Sequence, residues 1–196
     1  MSYSVTPTEA GCYPGTTVLI NKLGIRSQEA LDEVERVVTS LHSVEIEQEQ
    51  SAEVFTFGYY LELHRRLFGD IYDWAGQIRT IELSKKGTSF CAAGKIPSVG
   101  QAIFERLQRL KEFRGLPRKR FVREAADLYN RINLLHPFRE GNGRTQRLFF
   151  TLLVRRAGRE IDFANCDTDV LMIATIFAAQ GVMDQLYGFF DQKIKG

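Results

Sequence analysis

Apolar positions recur at helical spacing along most of the chain, and the breaks between the runs fall at glycine and proline. Phe57, Tyr60, Leu63, Leu67 and Phe68 form one stripe that stops at Gly69. Ile103, Leu107 and Leu110 form another, broken by Gly115-Leu116-Pro117. Phe121, Ala125, Leu128, Ile132 and Leu135 mark a long helix running up to His136. Beyond Gly141-Asn142-Gly143, the residues Leu148, Phe149, Leu152, Leu153 and Val154 occupy more than one face, which predicts a central helix ending at Gly158. Two more helices are predicted from about Asp167 to Ala179 and from about Val182 to Lys195, split by Gly181. Nearer the N-terminus, Ser27 reads as the cap of a helix with Glu29 in its first turn and Leu31, Val34, Val38 and Leu41 inward. Its acidic continuation, Glu45 to Glu53, reads as a frayed end or a loop. Val18, Leu19 and Leu23 predict a short helix stopping at Gly24. Residues 1–13, rich in Ser, Thr, Pro and Gly, read as a loose arm ahead of a single domain over 14–196.

One stretch departs from this pattern. Thr80-Ile81-Glu82-Leu83 alternates polar and apolar residues, Ser84 to Ser89 is a turn cluster, and Phe90-Cys91-Ala92 is a second short run. Together they predict a β-hairpin over about 80–92, which must lie against the helices because two such strands are not stable alone. The fold class is therefore all-α with a small β-hairpin, without internal repeats.

The bulk numbers narrow the function little but exclude some classes. The 196 residues, 44% apolar and 26% charged, suit one domain with a real core. Lys+Arg at 26 against 24 Asp+Glu leaves a net charge of +2, too balanced for a protein devoted to nucleic acid or a membrane surface. Cys12, Cys91 and Cys166 are widely spaced and suggest neither a zinc site nor a disulfide framework. The N-terminus shows no basic segment followed by an apolar run, and no apolar stretch is long enough to span a bilayer, so a cytoplasmic location is expected.

The chemistry concentrates in residues 136–147. Two glycines flank an asparagine where a helix begins, a turn that can aim successive N–H groups into one concavity and bind an anion. The helix N-terminus adds unpaired donors. Arg144 and Arg147, three apart, are expected to share a face and reach one polyphosphate. Glu140 at the edge would repel phosphate unless a divalent cation lay between them, and Mg²⁺ commonly uses one carboxylate with phosphate oxygens. His136, just before the nest, suits a base taking a proton from a hydroxyl. A phosphorus-transfer site follows.

The segment resembles the signature of the Fic family, HxFx(D/E)GNGRxxR, at His136, Phe138, Glu140, Gly141, Asn142, Gly143, Arg144 and Arg147. The stretches LHRRLFGDIYDWAGQIR (Leu61 to Arg79) and INLLHPFREGNGRTQR (Ile132 to Arg147) are also similar to bacterial Fic toxins. The resemblance implies a helical bundle with a hairpin flap and transfer of AMP from ATP to a Tyr, Thr or Ser hydroxyl of a target protein. It makes His136 the base and Glu140 the Mg²⁺ ligand. Gly141, Asn142 and Gly143 become the anion hole, Arg144 and Arg147 the ligands of the outer phosphates, and Phe138 a core anchor. Thr80, Ile81, Glu82, Leu83 and Phe90 would belong to the flap that docks the target as an added strand, a use for an otherwise hazardous exposed edge.

The same resemblance suggests type II topoisomerase subunits, such as DNA gyrase B, as targets. Many family members are held off by a glutamate in a motif [S/T]xxxE[G/N]. Ser43 to Gln48 comes near it, with Glu47 as the glutamate but Gln48 where Gly or Asn is expected, so a solvated helix end is the better account of Glu47. A small separate antitoxin is the expected inhibitor. Transfer of UMP, phosphocholine or the γ-phosphate is the competing chemistry, although Gly143 stands where the kinase variant carries lysine. A catalytically idle binding module is the third reading, and His136 with Glu140 argues against it. Asn165 and Tyr187 are candidates for an adenine pocket.

Overall fold

The computed structural model describes residues 11–49, 54–85, 88–163 and 166–196. The expected apolar stripes become α2 (Phe57–Phe68), α3 (Ile96–Arg109), α4 (Arg118–Leu135), α5 (Asn142–Arg156), α6 (Thr168–Ala179) and α7 (Asp184–Lys193), preceded by α1 (Gln28–Gln48). Each starts or stops for a local reason. Ser27 Oγ accepts the Ala30 N–H at the head of α1, Thr56 Oγ1 accepts that of Tyr59 at α2, and Asp167 accepts that of Asp169 at α6. The Gly158 and Gly181 turns after α5 and α6 are left-handed, as glycine allows.

Helix α5 is the axis of the core. Leu148, Phe149, Phe150, Leu152, Leu153 and Val154 are all buried, and α1, α2 and α4 pack around it. Helices α6 and α7 cover α4 from the other side. Phe149 meets Phe55, Tyr60 and Phe104 edge-on at 5.3–5.5 Å between ring centres, a favoured aromatic geometry. Among the described residues no helix is long and apolar enough to cross a membrane.

Four expectations are corrected. The stretch around Val18 and Leu19 is not helical: Leu19 pairs with Cys12 as an isolated antiparallel bridge, and Leu23 is half exposed. The buried Asn21 amide closes this loop by accepting the Ile25 N–H at 3.0 Å and donating to the Leu19 and Ile25 carbonyls, an offer that competes with a helix. Helix α1 turns its inward face only in part as expected: Leu31 is buried and Val34 and Val38 half-buried, but Glu35, Thr39 and Ile46 fill the rest of that face and Leu41 is 60% exposed. Glu35 goes inward because it has partners there, the Tyr72 hydroxyl and the Arg144 guanidinium. Third, the acidic stretch is not a loop from Glu45 on: α1 takes it in as far as Gln48, in keeping with a helix end, and residues 50–53 lie outside the described residues.

Fourth, the hairpin is short and shifted. Its strands are β1 (Ser84–Lys85) and β2 (Thr88–Ser89), with Ser84 opposite Ser89 and Lys85 opposite Thr88, so the ladder lies where a turn was expected. Thr80 to Leu83 form the root instead, where Ile81 O accepts from Arg79 and Leu83 O from the Phe90 N–H. The tip, Lys86 and Gly87, lies outside the described residues. A second antiparallel pair, β3 (Glu160–Ile161) with β4 (Ile194–Lys195), ties the C-terminus to the end of α5 and had no counterpart in the sequence pattern. Of the expected loose arm, residues 1–10 lie outside the described residues.

Candidate active site

The loop between α4 and α5 is held from several directions. Helix α4 ends at His136 because Pro137 follows, and His136 takes a left-handed conformation with φ 43°. Phe138 is fully buried, sandwiched by Tyr60 at 5.6 Å and His64 at 3.8 Å, the anchor position expected of it. Burying such a ring contributes about 2–3 kcal/mol. The Asn142 side chain turns inward and holds both the N–H and the carbonyl of Phe138 at 2.9 and 2.8 Å. Any anion contact from Asn142 must therefore come from its backbone N–H.

His64, on α2, is a structural histidine that sequence reasoning did not single out. Its Nε2 donates to the Glu140 carbonyl and its Nδ1 accepts the Gly76 N–H, both at 2.9 Å. Burial pushes its pKa down to about 4, so the ring stays neutral. Gly141 then passes with φ 79° over the Phe68 ring, where any Cβ would lie 2.4 Å from ring carbons.

This scaffold places the reactive groups. His136 is buried, with Nδ1 3.2 Å from the Asn133 carbonyl. A carbonyl only accepts, so the ring proton belongs on Nδ1 and Nε2 carries the lone pair. Phe90, at the base of the hairpin, stacks on the imidazole at 3.7 Å and 6°. Asn142, Gly143 and Arg144 open α5, so their N–H groups have no intrahelical acceptor. A cavity of about 330 Å³ opens here, bringing together His136, Gly143, Arg147, Phe90 and Thr88. Its far wall is Tyr129 on α4 with Leu171, Met172, Thr175 and Ile176 on α6.

The two arginines do not share a face. Arg147 lines the cavity, whereas Arg144 is paired with Glu35, lies 3.6 Å from Glu140 and stacks on Phe68 at 4.8 Å. Burial lowers the Arg144 pKa, but Glu35 and Glu140 outweigh it and hold the group above its ordinary value. Glu140 also accepts the Gly141 N–H at 2.8 Å, which keeps its carboxylate at the helix N-terminus. Glu140, Gly141, Asn142 and Arg144 do not line the cavity.

Of the hairpin residues, Leu83 is buried, Thr80 and Glu82 are exposed and Ile81 lies between, while Glu82 accepts the Ala93 N–H at 2.9 Å. Tyr187 is not in the cavity; its hydroxyl donates to Asp127 at 2.9 Å, and it lines a separate groove between α4 and α7. Asn165 lies outside the described residues. The α6 wall was missed although α6 is apolar around its whole circumference, with Val170, Ile173 and Phe177 left exposed and Leu171, Ala174 and Ala178 buried. That pattern was the available signal. Glu47 bonds Arg155 at 2.9 Å and not Arg147.

Comparison with known proteins places this helical bundle, with its left-handed histidine and glycine turn beneath a hairpin, in a defined family. Residues 54–154 match the Fic/DOC family. The probable protein adenylyltransferase Fic of Escherichia coli is 32% identical over 182 residues, covering 93% of this chain and 90% of that protein. The protein adenylyltransferase VbhT of Bartonella schoenbuchensis is 35% identical over 171 residues, covering 87% of this chain but only 36% of VbhT. Another Bartonella relative, from B. henselae, is likewise covered over 36% of its length, so the chain spans about a third of these two proteins. Among solved structures, the BepC protein of Bartonella tribocorum with bound AMPPNP superposes with a TM-score of 0.89 at 27% identity, covering 95% of this chain and 97% of that one. A Fic domain from Bartonella quintana with bound ADP gives 0.90, also at 27% identity, covering 95% of each chain. The chain belongs to the Fic/DOC family.

Proposed function

We propose that this protein is an adenylyltransferase that moves AMP from ATP onto a Tyr, Thr or Ser hydroxyl of another protein. The observation that carries this reading is the meeting of His136, Gly143 and Arg147 around one cavity at the N-terminus of α5. Its size suits a bound small ligand. The α5 donors face where an α-phosphate would sit, and Arg147 is available to the outer phosphates. The apolar α6 wall suits a base.

In this reading His136 Nε2 takes the proton of the target hydroxyl as its oxygen attacks the α-phosphorus. The bond from that phosphorus to the bridging oxygen breaks, and pyrophosphate leaves with the electron pair. The hairpin presents the target, with Phe90 fixing the plane of the imidazole and Thr80, Ile81, Glu82 and Leu83 forming its root.

A Mg²⁺ ion commonly takes one carboxylate together with substrate phosphates, and the Glu140 carboxylate, held by the Gly141 N–H at 2.8 Å, lies at the N-terminus of α5 where such a ligand is needed. Glu140 would hold it, and the ion would neutralise charge on the phosphates. Arg144 can join the outer phosphates only by releasing Glu35.

The family resemblance supports a cytoplasmic toxin held off by a small separate antitoxin, with a type II topoisomerase subunit such as DNA gyrase B as target and no direct contact with nucleic acid or membrane. The pairing of Glu47 with Arg155 speaks for an inhibitor outside this chain. The test is to incubate the purified chain with Mg²⁺, a bacterial lysate and ATP labelled on either the α- or the γ-phosphate. Protein labelled only from the α-position, gaining the mass of AMP, is the expected result. Label from the γ-position, or transfer from UTP or CDP-choline instead, overturns it.

A further inference from the structure

Arg79 is a buried charge whose side chain is fully shielded and whose nearest carboxylate, the mostly exposed Glu82, is 4.0 Å away. Its partners are backbone carbonyls. Nε donates to the His136 carbonyl at 2.8 Å, Nη1 to Ile81 O and Nη2 to Cys91 O at 2.5 Å each. Its own N–H donates to the Pro137 carbonyl at 2.9 Å. One side chain thus joins the strained residue 136 to both roots of the hairpin, Ile81 on the way in and Cys91 on the way out. Cys91 N–H closes the ring by donating to Leu134 O, the last turn of α4, at 2.8 Å.

Burying a guanidinium is costly, and burial here pushes its pKa down. A core position that needed only bulk would be more stable with an apolar residue. What the guanidinium supplies is a rigid planar fork with donors in fixed directions, which lysine does not have. The left-handed backbone of His136 carries strain, and the Nε bond fixes the peptide plane from which the imidazole projects. Phe90, stacked on that imidazole, is the neighbour of Cys91. The hairpin therefore touches His136 twice, through ring stacking in front and through Arg79 behind.

We propose that Arg79 is a positioning residue that couples the hairpin to the imidazole of His136, so that docking of a target strand sets the base for proton removal. The proposal rests on the adenylyltransferase reading. It separates the residue's role from nucleotide binding, since Arg79 does not line the cavity.

The test uses Arg79→Lys and Arg79→Gln in the full chain, the second removing the buried charge with its desolvation penalty. Thermal melting, affinity for a non-hydrolysable ATP analogue and the rate of AMP transfer to lysate acceptors are measured together. A fall in rate of about tenfold to a hundredfold is expected, with analogue affinity within about threefold of the unsubstituted chain. A folded variant that transfers AMP at the original rate overturns the proposal. So does a parallel loss of rate and affinity, or failure of both variants to fold, because Arg79 is then only a structural element. If the unsubstituted chain transfers nothing while still binding the analogue, it is the adenylyltransferase reading that has failed.

Discussion

Gly141 and Gly143 are two residues apart in one turn, and the structure assigns them opposite tolerances for a methyl group. At Gly141 φ is 79°, and a Cβ would lie 2.4 Å from Cε2 and Cζ of Phe68. That ring cannot withdraw, because Phe68 is fully buried with His64 stacked at 4.7 Å and Arg144 over it at 4.8 Å. Alanine there incurs about 1–2 kcal/mol for the left-handed backbone and about 1–3 kcal/mol for overpacking. A loss of roughly 3 kcal/mol corresponds, for a chain of this length, to a fall in Tm of about 6–12 °C. Gly143 has no positive φ, and its Cβ would meet only the mobile Nη1 of Arg147, at 3.3 Å. In a helix alanine is favoured over glycine by about 0.5–1 kcal/mol. Gly143→Ala should therefore melt no lower than the unsubstituted chain, yet bind an ATP analogue more weakly because Arg147 is displaced. Thermal melts without nucleotide and calorimetric titration separate the two effects. Equal melting temperatures for the two variants, or the reverse order, would refute the reasoning.

Three further perturbations probe the supports around this turn. His64 is neutral in the fold, with a pKa of about 4 against 6.5 for the free side chain. Above pH 6.5 it is neutral in both states, while between 6.5 and 4 only the unfolded chain takes the proton, so stability falls with acidity by a total of about 3 kcal/mol. Urea midpoints measured across that window should fall less steeply for His64→Gln, and identical slopes would contradict the assignment. Glu35→Ala takes away the partner of the Tyr72 hydroxyl and leaves Arg144 with the Glu140 carboxylate alone, at 3.6 Å; a loss of about 2–3 kcal/mol is expected in urea denaturation, and a loss typical of surface pairs, below about 1 kcal/mol, would show that the pair does not support the loop. Glu47→Ala removes only a partly exposed pair with Arg155, so AMP transfer should stay within about twofold and stability within about 1 kcal/mol. Strong activation would instead reveal inhibition from within the chain.

The stripes of α2, α4 and α5 were legible because their apolar residues alone decide which face is buried. Helix α1 was not, since the residue that turns inward is Glu35, and its partners Tyr72 and Arg144 are 37 and 109 positions away. The hairpin was found but misaligned, because alternation at Thr80 to Leu83 looks the same whether carbonyls bond a strand or the Arg79 fork. The site shows the same division. His136, Gly143 and Arg147 could be read from their spacing, as local geometry at a helix start sets them. The divergence of Arg144 from Arg147 could not, because helical spacing says where Cα atoms lie and not which carboxylate a long side chain finds. His64 and Arg79 act on backbone N–H and carbonyl groups, which carry no residue identity, so although both lie in the Leu61 to Arg79 stretch that resembles Fic toxins, spacing alone gave neither a role.

The central claim is that the turn between α4 and α5 holds the α-phosphate of ATP beside His136. A crystal structure of the chain with a non-hydrolysable ATP analogue and Mg²⁺ tests it directly. The account predicts the base against Leu171, Met172 and Ile176, the innermost phosphate on the N–H groups that open α5, and His136 Nε2 facing that phosphorus. An analogue bound elsewhere, or one whose phosphates point away from the imidazole, would contradict it.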